Sequence, residues 1–172
     1  RVASRGLGDV YKRQEWNGFD FSVIDTGGYV YNSEDIFEKE IRKQVELAID
    51  EANVILFLVD AKSGITDLDQ SVVNLLRKTN KKVVLGVNKV DNKRLLDESV
   101  EFYNLGLGDY IPFSSISGSG TGELLDELVK HFSKDVEIDN EGLPRFAVIG
   151  RPNVGKSCLL YTSDAADDVR GV

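Results

Sequence analysis

The six residues from Val54 to Val59 are all apolar, and the run ends on Asp60. A strand without polar alternation has both faces covered, which is the environment of a parallel sheet with helices on each side. Val83–Val87 and Phe146–Ile149 are two further apolar runs of strand length, and Tyr110–Phe113 is a shorter one. Phe19–Asp25 is another strand candidate, set behind the hairpin dipeptide Asn17-Gly18, with Glu15 and Trp16 as the stub of its partner. Between these runs apolar residues recur at helical spacing: Ile41, Val45, Ala48, Ile49 and Ala52; then Leu68, Val72, Leu75 and Leu76 behind an N-cap at Thr66; then Leu124, Leu125, Leu128, Val129 and Phe132. A further helix is predicted over Leu95–Tyr103. Strands alternating with helices predict an α/β fold with a doubly wound, mostly parallel sheet. Such sheets bind ligands at the carboxyl ends of their strands, so the chemistry is sought in the loops that follow them.

The composition narrows the function classes. A chain of 172 residues with 41% hydrophobic content holds one core, and its net charge of −8 opposes charge-driven binding to nucleic acid. No DNA partner is expected. No apolar run approaches the ~20 residues of a membrane helix, so no membrane partner is expected either. The single cysteine excludes a disulfide framework, and a cytoplasmic location is the default expectation. His131 has no companion ligand or nucleophile and reads as a solvated surface side chain, and Trp16 reads as strand packing. No Ser-His-Asp or paired-carboxylate site is found.

Four loops at predicted strand ends carry chemistry. Gly150-Arg151-Pro152-Asn153-Val154-Gly155-Lys156-Ser157 matches the phosphate-binding pattern G-x-x-x-x-G-K-[ST] in full. Its glycines let backbone N–H groups converge on phosphate oxygens, Lys156 adds a point charge, and the Ser157 hydroxyl can ligate Mg²⁺ directly. Asp25-Thr26-Gly27-Gly28 ends another strand; there a carboxylate can hold a Mg²⁺ water while a glycine N–H meets a γ-phosphate, although by itself the sequence equally suits an ordinary turn. Asn88-Lys89-Val90-Asp91 ends a third, and an aspartate at that point can accept from both N1–H and the amino group of guanine, which adenine cannot supply. Ser114-Ser115 ends the fourth and leads into the glycines at 118, 120 and 122.

The two termini read differently from the middle. Arg1–Gln14 has no usable period, and Tyr161–Val172 turns abruptly to small and acidic residues. Asp9-Val10-Tyr11-Lys12-Arg13-Gln14 can be encoded by a DNA word whose complementary strand, read one base in, spells Cys-Leu-Leu-Tyr-Thr and begins Ser, the residues at Cys158 to Ser163. Residues 1–14 and 158–172 are therefore expected to be translated sequencing-adapter tails. Setting both aside leaves the remainder acidic and removes Cys158 from any functional argument.

With D-T-G-G, N-K-V-D, the Ser-Ser loop, an acidic linker and then G-R-P-N-V-G-K-S in that order, the stretch from about Glu15 to Ser157 resembles the bacterial Der (EngA) family of tandem GTPases. That resemblance implies a sheet of the P-loop GTPase type, here incomplete. Residues 15–133 would be the first GTPase domain without its P-loop, 134–144 an acidic linker, and 145–157 the opening strand and P-loop of the second. It also implies that Asp25, Thr26, Gly27 and Gly28 form the first domain's DxxG switch. Asn88, Lys89 and Asp91 would be its base-recognition motif, with Ser114 and Ser115 the loop near guanine O6. Gly150 to Ser157 would be the second P-loop, in which Asn153 matches the asparagine that supports potassium (K⁺)-stimulated hydrolysis. Mg²⁺, GTP or GDP, and, for the parent protein, the large ribosomal subunit are the implied cofactor and partners. The first P-loop and the switch threonine would lie upstream of Glu15, and Tyr29 stands where a water-orienting glutamine would follow Gly28. No residue is assigned a catalytic role, and the chain itself is expected not to turn over GTP.

Two other readings compete. A circularly permuted GTPase would place the DxxG motif after the P-loop, whereas Asp25 here precedes it. A nucleotide- or RNA-binding module without turnover would need more basic surface than this chain has. The tandem reading carries one structural expectation of its own. Without the first P-loop strand, the sheet would be open between the strands ending at Asp25 and Asp60, and an open slot leaves two rows of backbone groups unpaired. Phe146–Ile149 is expected to enter that slot in parallel and bring Lys156 and Ser157 beside Asp25.

Overall fold

The computed structural model describes residues 10–26, 34–132 and 142–159. The chain opens with a hairpin of β1 (Val10–Trp16) and β2 (Phe19–Asp25), paired antiparallel from Trp16↔Phe19 to Val10↔Asp25. Its two turn residues both take the left-handed conformation, Asn17 at φ 49° and Gly18 at φ 80°, as the tight turn between twisted strands requires. β1 begins five residues before Glu15, inside the stretch without apolar periodicity. The exposed edge of β2 supplies its ladder, which no local pattern announces. The Trp16 indole N–H donates to Asp126 Oδ1 at 2.7 Å and anchors the hairpin.

The remaining elements are α1 (Glu34–Glu51), β3 (Val54–Asp60), α2 (Asp67–Leu76), β4 (Lys82–Asn88), α3 (Lys93–Glu98), β5 (Tyr110–Pro112), α4 (Thr121–Lys130) and β6 (Arg145–Ile149). The sheet order is β1-β2-β6-β3-β4-β5, and every pairing after the hairpin is parallel. β6 lies in the slot the sequence predicted for it: Ser22–Asp25 pair with Arg145–Val148 on one side, and Val54–Phe57 pair with Phe146–Ile149 on the other. Its entry is clamped at Asn53, whose side-chain carbonyl accepts from the Arg145 N–H at 2.7 Å while its own N–H donates to the Arg145 carbonyl at 2.8 Å.

Strand alternation divides the core into two layers. Ala147 and Ile149 of β6, with Ile55, Phe57 and Val59 of β3, pack against Val45, Ala48 and Ile49 of α1 and Val72, Val73 and Leu76 of α2. Phe146 and Val148, with Leu56 and Leu58, pack against Leu124, Leu125 and Leu128 of α4 on the opposite face. Both faces of β3 and β6 are thereby buried, as an unbroken apolar run demands.

Two local details depart from the expectation. The helix predicted over Leu95–Tyr103 is split: α3 ends at Glu98, capped by Ser99, whose Oγ donates to the Leu96 carbonyl at 2.6 Å, and a 3₁₀ segment follows over Ser99–Leu105. Ser99, Phe102 and Leu105, the buried residues of that segment, stand three apart, the period of a 3₁₀ helix and not of an α-helix. In α2 the inward face includes Asp69, which completes a reciprocal capping box with Thr66. Among the described residues no helix is long and apolar enough to cross a membrane.

Candidate functional site

The four loops singled out in the sequence all emerge from the carboxyl edge of the sheet. The phosphate-loop motif follows β6 and leads into a helical turn at residues 156–159. Gly150 has to be glycine, because a Cβ there would stand 2.7 Å from the Leu58 carbonyl oxygen of β3. Asn153 (φ 66°) and Gly155 (φ 98°) turn the loop through left-handed conformations. Val154 and Leu159 are buried on the α4 side of the core and hold the loop down. The Lys156 ammonium folds back across its own loop, donating to the Gly150 carbonyl at 2.5 Å and the Arg151 carbonyl at 3.3 Å. Burial lowers the Lys156 pKa, and the nearby Asp25 carboxylate partly offsets that. Ser157 is exposed.

Asp25 ends β2 beside this loop. Its carboxyl is pushed upward by burial, with Lys156 and then Lys12 pulling it back, and its Oδ1 is buried with no hydrogen-bond partner among the described residues. The Asp25 carboxylate, whose Oδ1 lacks a partner among the described residues, and the Ser157 hydroxyl are hard oxygen donors of the kind that fit Mg²⁺. Among the described residues there is no cluster of three or more metal-ligating His, Cys, Asp or Glu, so such an ion would complete its shell from phosphate oxygens and water. The Thr26 hydroxyl donates to the Val148 carbonyl of β6 at 2.9 Å, tying the end of β2 to the neighbouring strand. Gly27 and Gly28 lie outside the described residues.

Asn88 is the point where the loops meet. It is fully buried at the end of β4. Its Nδ2 donates to the Val154 carbonyl of the phosphate loop at 2.6 Å and to Ser115 Oγ at 3.0 Å, while its Oδ1 accepts from the N–H groups of Lys89 at 2.7 Å and Ser115 at 3.0 Å. All four side-chain valences of one residue therefore join the loops that follow β4 and β5 to the loop that follows β6. Lys89 follows in the left-handed conformation, φ 68°, with its ammonium 2.5 Å from Asp60 Oδ2. Asp91 accepts from the Ser114 hydroxyl at 2.8 Å through Oδ1 and pairs with the Lys62 ammonium at 2.6 Å through Oδ2. The Lys62 hydrogen bond, followed by that from Ser114, holds the Asp91 carboxyl below its ordinary range, so it is an anion at neutral pH. Ser114 and Ser115 are both buried.

The structure thus brings Asp25, Thr26, Asn88, Lys89, Asp91, Ser114, Ser115 and the whole of residues 150–157 to one edge. Sequence reasoning missed Asp60, Lys62 and Asp69, which pair with Lys89, Asp91 and Arg151. One signal was present, since Asp60 closes the apolar run of β3 at the strand end where ligand loops gather. His131 is half-buried against Glu127 at 3.1 Å rather than freely solvated.

Comparison with known proteins points to GTPases. A family model described as a 50S ribosome-binding GTPase matches residues 7–89. The GTPase Der of Christiangramia forsetii is 59% identical over 150 residues, covering 87% of this chain and 35% of that protein. The GTPase Der of Flavobacterium johnsoniae is 62% identical over 152 residues, again 87% of this chain and 35% of the relative. The chain therefore spans about a third of the length of the curated relatives it matches. Among solved structures, Era in complex with MgGDPNP and a segment of 16S ribosomal RNA superposes with a TM-score of 0.58 at 22% identity, over 77% of this chain and 47% of that one. An Aquifex aeolicus Era variant bound to GDP·AlF4⁻ gives 0.56 at 22% identity, over 81% and 51% of the two chains. The fold is that of a P-loop GTPase.

Proposed function

We propose that this chain, a homologue of the Der GTPases over most of its length, binds a guanine nucleotide in one composite site, and that the parent protein hydrolyses GTP. In that reading the phosphate loop of residues 150–157 comes from a second GTPase repeat and serves the guanine-binding half of the first, residues 15–133. The observation that carries it is the 2.6 Å hydrogen bond from Asn88 to Val154, which locks the guanine-side loops onto the phosphate loop. Residues at the ends of β2, β4, β5 and β6 then face one ligand, as parallel sheets arrange their sites.

The division of labour follows from the side chains. Phosphate-loop N–H groups and the Lys156 ammonium hold the phosphates; Lys156 is released from its two loop carbonyls as phosphate oxygens replace them. Asp91 and Ser114 address the base edge, with Asp91 exchanging Lys62 for guanine N1–H and the 2-amino group. Ser157 would ligate Mg²⁺ directly and Asp25 through water, and the ion when bound supplies charge neutralisation across the phosphates. Asn153 is the assigned contact for K⁺ in the parent protein. The parent is assigned to act with the large ribosomal subunit, a reading supported by the match to the 50S ribosome-binding GTPase family model, and a cytoplasmic location remains part of the proposal.

Competition of GDP against ADP for this chain tests the assignment. GDP is expected to win by about tenfold or more, and Asp91→Asn to erase most of that margin by removing a charged bidentate acceptor. Equal affinity for GDP and ADP before substitution would refute it. Turnover is expected to be absent, because the motif set has neither the switch threonine nor a water-orienting glutamine and phosphoryl transfer depends on several such groups together. Mg²⁺-dependent phosphate release above that of Lys156→Ala would contradict this.

A further inference from the structure

Asp60 stands at the carboxyl end of β3, between the phosphate-loop strand β6 and the guanine strand β4. Its side chain is 5% exposed, and each of its oxygens is engaged. Oδ1 accepts the Lys62 backbone N–H at 2.8 Å, while Oδ2 takes the Lys89 ammonium at 2.5 Å. The same Oδ2 is approached from the other side by Arg151 of the phosphate loop, whose Nη2 lies 3.8 Å away. Arg151 Nε lies 3.9 Å from Asp69 Oδ1, and the other oxygen of Asp69 is committed to its capping box with Thr66. Arg151 Nε and Nη2 and Asp69 Oδ1 are all buried without a hydrogen-bond partner.

One cation from each nucleotide loop therefore faces a single buried carboxylate oxygen. Lys89 is fully bonded to it. Arg151 is in ion-pair range but about 1 Å beyond the ~2.8 Å of a charge-assisted hydrogen bond. Buried donors left unpaired are costly, so any force that draws the phosphate loop inward is reinforced as Arg151 closes on Asp60. On the other side, Lys89 holds a left-handed backbone at φ 68°, which a non-glycine residue keeps only when its surroundings over-determine it. Asp91, the guanine acceptor, is two residues further along and donates its N–H to the Lys89 carbonyl at 3.0 Å.

We propose that Asp60 is a positioning residue that couples the phosphate loop to the guanine loop: when phosphate draws Arg151 onto its carboxylate, the shared anion fixes Lys89 and with it the turn that presents Asp91 to the base. This rests on the guanine-nucleotide reading above and adds that occupancy of the phosphate half sharpens recognition in the base half. Asp60 and Arg151 act here without touching the base.

The test is base discrimination within a fixed phosphate contact. IDP carries the same phosphates as GDP and lacks the 2-amino group that Asp91 accepts, so the ratio of IDP to GDP dissociation constants reads Asp91 presentation alone. Fluorescent GDP bound to the full chain is displaced by unlabelled GDP, IDP and ADP, for the wild type, Arg151→Ala, Asp60→Asn and the double variant. Arg151→Ala and Asp60→Asn are each expected to narrow the ratio by about threefold or more, and the double variant to narrow it no further, as members of one ion-pair network behave. If Arg151→Ala weakens GDP and IDP by the same factor, the coupling is overturned while nucleotide binding stands. Additive narrowing in the double variant overturns it too, because the two residues would then act separately. Should Asp60→Asn lose its unfolding transition, Arg151→Ala and Arg151→Lys decide, the lysine restoring part of the ratio if charge at Asp60 is the cause and none of it if the coupling is absent. A wild type that does not prefer GDP to ADP removes the nucleotide reading and the coupling together.

Discussion

Replacing Gly155 by alanine probes whether the strand that entered the sheet is held there by the contacts described. An ideal Cβ at residue 155 would stand 2.2 Å from Asn88 Nδ2 and 3.2 Å from Ser115 Oγ, and the backbone there has φ +98°. Asn88 is fully buried and cannot swing toward water, so it must give up its hydrogen bonds to Val154 and Ser115. Leaving a buried polar group unsatisfied costs about 1–3 kcal/mol, and a left-handed alanine costs about 1–2 kcal/mol more. Gly155→Ala should therefore destabilise the chain by roughly 2–5 kcal/mol. Gly18→Ala is the matched control, because Gly18 also has positive φ, +80°, yet nothing lies within 4 Å of its added Cβ. It should show the backbone term alone, about 1–2 kcal/mol. Urea unfolding of both variants against the parent gives the two numbers directly, and GDP displacement should fail for Gly155→Ala only. Equal destabilisation of the two variants would mean that Asn88 and the phosphate loop are apart in solution, and the composite site would fall with that contact.

Further substitutions examine the same arrangement from other sides. Lys156→Met removes a charge that burial disfavours, so the unliganded chain should be no less stable while GDP displacement is lost. Because the folded-state pKa of Lys156 is lowered from 10.5, the native state binds fewer protons than the unfolded state between that lowered value and 10.5. Stability of the parent should thus rise with pH through that window relative to Lys156→Met, and a difference that stays flat or falls with pH would contradict the assigned burial. Phe146→Ala should cost about 3–5 kcal/mol, since the ring is buried 5.1 Å from that of Phe21; a loss near zero in urea unfolding would place β6 outside the sheet.

The amino-acid sequence by itself determined whatever depends on a few consecutive residues. Asn17-Gly18 specifies a left-handed turn because few other pairs tolerate positive φ twice in succession. The unbroken run Val54–Val59 specifies a strand buried on both faces, and Thr66 ahead of the helical spacing of Leu68, Val72 and Leu75 specifies a helix start. The loop motifs, including Gly150 to Ser157 and Asn88 to Asp91, are legible for the same reason, because their chemistry sits in spacing. The place of β6 followed from the family resemblance, which implies a missing first P-loop strand, combined with the cost of leaving the central slot of a parallel sheet unpaired. Tertiary structure decided everything that needs a partner far along the chain. The edge of β2 extends β1 upstream to Val10, and the 3₁₀ segment after Ser99 follows the inward packing of Phe102 and Leu105. Thr26 meets Val148 across 122 residues and Asn88 meets Val154 across 66, so no local window contains either contact. The same holds for Asp60, which by sequence is only the polar end of an apolar strand. Its role as a shared counter-ion arises because β3 lies between β6 and β4, so that a cation from each neighbouring loop converges on one carboxylate shielded from water.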